Sequence, residues 1–72
     1  QEQPDNVMVL LSLSRLAIQT GQYDRAEVRL QKILEVEPEN NNAICLLAEV
    51  YTALGNSSRA AALQQRCTNS DQ

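Results

Sequence analysis

Histidine, tryptophan and phenylalanine are absent from this 72-residue chain, and tyrosine occurs only at Tyr23 and Tyr51. Without histidine there is no imidazole base, no partner to activate a serine or cysteine, and no nitrogen ligand for a metal. The two cysteines, Cys45 and Cys67, are too few for a structural zinc site. Gly21 and Gly55 stand far apart, so no glycine-rich loop cradles a phosphate. Basic clusters are missing, and a net charge of -3 lacks the positive footprint that nucleic acid requires. No stretch approaches the roughly 18 consecutive apolar residues of a membrane span. The longest, Val7 to Leu11, soon meets Ser12, Ser14 and Arg15. Glu35, Glu37 and Glu39 gather around Pro38, where a solvated turn accounts for them better than a cation site. What remains for catalysis is a set of isolated carboxylates, so the expectation is no enzyme, no cofactor and no metal.

What is present is mostly aliphatic. Hydrophobic residues make up 43% of the chain and charged residues 21%, so Leu, Ile, Val and Ala must fill the core. Small aliphatic side chains suit closely packed helices better than a sheet. Laying the chain on itself with a shift of 34 residues brings Pro4 onto Pro38, Asp5 onto Glu39 and Asn6 onto Asn40. The same shift brings Leu13 onto Leu47, Gly21 onto Gly55, Arg25 onto Arg59 and Ala26 onto Ala60. Val7, Leu10, Leu11, Leu13, Ala17 and Ile18 follow helical spacing, and Gly21 ends that helix in the left-handed region. Asp24 reads as the next N-cap, with Glu27 three residues on as in a capping box. Ala26, Leu30, Ile33 and Leu34 share one side of the second helix, which Pro38 stops. Ala43, Ile44, Leu47, Ala48, Tyr51 and Leu54 lead to Gly55, and Ser57 or Ser58 caps a last helix through Ala60, Leu63 and Cys67. The spacing predicts helices over about 7–20, 24–36, 41–54 and 58–68.

At these residues the chain resembles the tetratricopeptide repeat family, whose helix–turn–helix unit has this period. Leu13, Gly21, Tyr23, Ala26, Leu30, Ile33 and Pro38 look like one whole repeat core. Ala17 departs from the family's preferred tyrosine, which unit two supplies at Tyr51; unit two in turn departs at Ser57 and Gln64. The resemblance covers about residues 4–68 and implies an all-α fold. Antiparallel helix–turn–helix repeats would stack as a right-handed α-solenoid of four helices. The implied divisions are 1–6 as the end of a preceding repeat or linker, 7–40 and 41–68 as two repeats, and 69–72 as a polar tail. Pro4-Asp5-Asn6 matches a closing turn, and no amphipathic capping helix follows. Because repeats bury their apolar faces on neighbours, this is expected to be a fragment of a longer array or a chain that self-associates. No signal peptide is visible and the first residue is Gln1, which fits a processed or excised segment.

The resemblance also implies a function: first helices of such repeats line a concave groove that holds a peptide or protein segment. Carried over position by position, the groove would hold Met8, Leu11, Arg15, Ile18 and Gln19 in unit one. In unit two it would hold Asn42, Cys45, Glu49, Thr52 and Ala53. Residues 8, 11, 15 and 18 share one helical face, as do 42, 45, 49 and 52. Arg15 and Glu49 occupy one repeat position, and they either pair across adjacent first helices or address a ligand. Met8 and Leu11 likewise either contact a ligand or pack on a preceding repeat. Family members that grip acidic C-terminal chaperone tails use Lys and Asn where Leu11, Arg15 and Leu46 stand, so that clamp is largely missing. An apolar or amphipathic segment is the expected ligand, with a spacer or oligomerisation segment of a longer solenoid as the alternative. Family geometry would turn Cys67 inward and Cys45 toward the groove. Since helix axes pack about 8–10 Å apart and a disulfide needs alpha carbons within about 7 Å, two free thiols are expected. Free thiols lean toward a reducing, cytoplasmic setting, although the compartment itself is not legible.

Overall fold

A computed structural model describes residues 6–70 of the chain, with side chains described through Cys67. Four helices follow in order: α1 (Val7–Gln19), α2 (Tyr23–Val36), α3 (Asn41–Ala53) and α4 (Ser57–Ser70). Among the described residues there is no strand. Residues 1–5 and 71–72, part of the expected leading turn and polar tail, lie outside the described residues. Helix α4 runs through Ser70, two residues beyond its expected end, because no proline or glycine intervenes.

The turns repeat at the atomic level. Gly21 and Gly55 take φ of 79° and 83°, a region that costs a residue with a Cβ. At the first, Gly21 N–H donates to the Ile18 carbonyl at 3.1 Å and Gln22 N–H to that of Ala17 at 2.7 Å. At the second, Gly55 N–H donates to Thr52 at 3.1 Å and Asn56 N–H to Tyr51 at 2.8 Å. This pair of bonds is a Schellman closure, which satisfies carbonyls that the helix end would otherwise strand. The chain leaves each closure directly into the next helix. As a result α2 starts at Tyr23 with Gln22 as a cap that makes no side-chain bond, and Asp24 lies inside the first turn. The expected Asp24 cap is therefore corrected: the Schellman turn places the helix start ahead of it. Asp24 instead contributes a negative charge near the positive end of the helix dipole. Asn56, in register with Gln22, caps α4 by accepting from Arg59 N–H at 3.3 Å, displacing Ser57 and Ser58 from that role.

The first helices carry matching caps. Asn6 accepts from Val9 N–H at 3.2 Å and Asn40 from Ala43 N–H at 2.9 Å. Asn40 also donates from Nδ2 to Glu37 Oε1 at 2.8 Å, holding both sides of the turn around Pro38.

Helix α3 is the centre of the packing. It touches α4, α2 and α1, and buries Ala43, Ile44, Leu47, Ala48, Val50 and Tyr51. Leu30 and Ile33 of α2 close the core from one side, with Leu10 and Ala17 from α1 and Ala60 from α4. Ser14, at the small-residue position that Ala48 holds in unit two, is buried; its hydroxyl donates to the Leu10 carbonyl at 2.7 Å. That bond removes the cost of burying a hydroxyl between helices.

Candidate functional site

The residues expected to line a groove occupy equivalent places on α1 and α3, helices that lie in contact. Met8, Arg15 and Gln19 of α1 are exposed, while Leu11 and Ile18 are half-buried and pack partly against the core. On α3, Asn42, Glu49, Thr52 and Ala53 are exposed. The Thr52 hydroxyl donates to the Ala48 carbonyl at 2.9 Å. Among the described residues Arg15 and Glu49 form no ion pair, so each charge faces solvent. An exposed pair would have added only about 0–1 kcal/mol. The surface thus offers one thioether, two aliphatic edges, and two unmatched charges of opposite sign.

Cys45 behaves differently from the expectation. It is bonded to Cys67 of α4, with alpha carbons 5.2 Å apart, and no free cysteine is left. The error lay in comparing axis spacing with a distance between alpha carbons. Alpha carbons sit about 2.3 Å off the helix axis, so two that face each other across axes 8–10 Å apart come within roughly 5 Å. Buried alanines, Ala48 on α3 and Ala60 on α4, keep the side chains between these helices small. With the thiols gone, the lean toward a reducing compartment loses its basis. Position 45 presents a half-buried disulfide in place of a nucleophile or metal ligand.

A polar cluster that the sequence reading did not foresee joins the units. The Tyr51 hydroxyl on α3 donates to Glu27 Oε2 on α2 at 2.9 Å and accepts from Gln31 Nε2 at 3.2 Å. Gln31 also reaches Glu27 at 3.4 Å. The Arg59 guanidinium of α4 lies 5.7 Å from the Tyr51 ring centroid, within cation–π range. Glu27 therefore acts across helices instead of completing a capping box. The spacing of Glu27 and Gln31, one helical turn apart on the face toward Tyr51, was the available signal.

Two matches to a single family model, described as tetratricopeptide repeat, cover residues 1–43 and 17–72. The chain belongs to the tetratricopeptide repeat family. No curated protein and no solved structure matches it. Members of this family generally mediate protein–protein interaction and are typically non-enzymatic. The all-helical architecture, with its 34-residue register of caps and closures, is that of a helical repeat. Among the described residues no helix is long and apolar enough to cross a membrane, and no group of three potential metal ligands comes together.

Proposed function

We propose that this tetratricopeptide pair is a non-enzymatic interaction module whose α1–α3 face takes a peptide or protein segment, as a scaffold, adaptor or assembly factor does. Met8, Leu11, Arg15, Ile18, Gln19, Asn42, Cys45, Glu49 and Thr52 form that face. The observation that carries the reading is the exposure of Met8, Arg15 and Glu49, the last two being charges with no ion-pair partner among the described residues. An apolar or amphipathic segment would cover Met8 and the edges of Leu11 and Ile18. Arg15 and Glu49 would set its direction by pairing with opposite charges. A nucleic acid ligand is not favoured, because the net charge is -3 and the face carries one cation and one anion.

The test is selection from a random peptide library on the immobilised chain, repeated on a Met8→Asp/Arg15→Glu variant. Both positions are exposed, so the variant should keep the wild-type circular dichroism and melting midpoint. Wild type should enrich peptides with a common apolar pattern, and the variant should fail to retain them. Equal retention by both, or no enrichment, would favour the second reading, a spacer or oligomerisation segment within a longer solenoid. That reading has its own support in the exposed Val9, Leu13 and Leu16 of α1.

A further inference from the structure

Across the repeat register, Gln22, Tyr23 and Asp24 of unit one become Asn56, Ser57 and Ser58 in unit two. The second triplet is an asparagine, a residue other than proline, and a serine, which is the acceptor pattern for N-linked glycosylation. The pattern fails at Asn6, Asn40, Asn41, Asn42 and Asn69, because Met8, Asn42, Ala43, Ile44 and Asp71 stand two residues beyond them. Three residues can match by chance, so their placement decides. Leu54 through Arg59 are exposed at the α3–α4 turn, and a Cβ at Gly55 would meet nothing within 4 Å. The Asn56 carboxamide divides its two ends. Its Oδ1 accepts from Arg59 N–H at 3.3 Å and so caps α4, while its Nδ2 makes no hydrogen bond among the described residues. The nitrogen is the atom a glycan takes, so the cap survives the modification. Unit two also holds the Cys45–Cys67 disulfide, where unit one has Leu11 and Ile33. Disulfides persist in oxidising compartments such as the endoplasmic reticulum lumen and the cell exterior, and the glycan acceptor pattern belongs to secreted proteins. Two independent features of one unit point to the same route.

We propose that Asn56 is an N-glycosylation site on a chain that passes through an oxidising secretory compartment. The donor is an oligosaccharide joined through a diphosphate to a polyprenyl lipid. Asn56 Nδ2 forms a bond to the anomeric carbon of the sugar, and the bond from that carbon to the diphosphate oxygen breaks. The lipid diphosphate departs, and the amide proton passes to a base of the transferase. Nothing is oxidised or reduced in the transfer. The glycan then stands on the exposed turn between α3 and α4, clear of the buried core. Neither Asn56 nor Ser58 belongs to the proposed groove, so this inference is independent of it.

The test takes the protein from its source, digests it without reduction, and releases N-glycans with a peptide amidase in heavy-oxygen water. The expected product is an aspartate carrying heavy oxygen at position 56, with Cys45 and Cys67 recovered in disulfide-linked form. An unmodified Asn56, or free thiols at both cysteines, overturns the proposal. Variants of the chain expressed behind a cleavable secretion signal in a eukaryotic cell separate the acceptor pattern from the fold. Ser57→Pro puts proline at the first position of α4, where a helix accepts it, yet blocks transfer. It should keep the wild-type circular dichroism and lose the glycan completely. Ser58→Ala should also lose it with the Asn56 cap intact, and Ser58→Thr should retain it. A wild-type chain secreted without a glycan, or a glycan that persists on Ser57→Pro, would equally overturn the assignment.

Discussion

Reduction of the Cys45–Cys67 bond tests how α4 is held. The described side chains of α4 bury little: Ala60 is inside and Leu63 and Cys67 are half-buried, while most others face solvent. The disulfide closes a segment of sequence separation 22 between α3 and α4. A loop of that length restricts the unfolded chain by about 11 cal/mol/K, or about 3 kcal/mol at 25 °C. Domains of this size have total stabilities of about 4–11 kcal/mol, so the bond supplies a large share. At roughly 4–8 °C per kcal/mol, the melting midpoint should fall by about 12–24 °C on reduction. Circular dichroism melts with and without a phosphine reductant read this directly. The Cys45→Ala/Cys67→Ala variant should melt like the reduced chain and ignore the reductant. An unchanged midpoint in the reduced wild type would refute the reasoning, since it would mean that α4 is held by packing alone.

Three further outcomes follow from individual contacts. Tyr51→Phe removes the hydroxyl that joins Glu27 and Gln31 and should cost about 1–2 kcal/mol in urea unfolding, with no loss of helicity. Asn40→Ala should cost about 1 kcal/mol, more than Asn6→Ala, because Asn40 both caps α3 and bonds Glu37; equal losses would contradict the two-sided role. Asn41 Oδ1 is buried without a partner among the described residues, and Val7 stands at the same repeat position. Asn41→Val should therefore stabilise the chain by about 1 kcal/mol, read as a higher urea midpoint at unchanged slope.

The four helices were legible because Gly21, Gly55 and Pro38 act through local backbone geometry, and a 34-residue shift aligns them. The start of α2 was not legible from cap residues, since the Schellman turn fixes it through backbone bonds made by Gly21 and Gln22. The expected free thiols failed for a geometric reason: axis spacing hides how closely facing alpha carbons approach. Register alone also could not separate Leu13 from Leu47. They share a repeat position, yet Leu47 is buried and Leu13 is exposed, which is a tertiary difference. Likewise Glu27 fits a capping box by spacing, but the partner it takes, Tyr51, lies 24 residues away. For the groove, helical spacing placed 8, 11, 15 and 18 with 42, 45, 49 and 52. The absence of an Arg15–Glu49 pair among the described residues needed the three-dimensional arrangement.

The most direct test of the interaction reading is a map of amide and methyl shifts on the 15N,13C-labelled chain bound to a peptide enriched by the library selection. The account predicts that perturbations concentrate at Met8, Leu11, Arg15 and Ile18 on α1 and at Asn42, Glu49 and Thr52 on α3. A footprint confined to α2 and α4, with those positions silent, would contradict it.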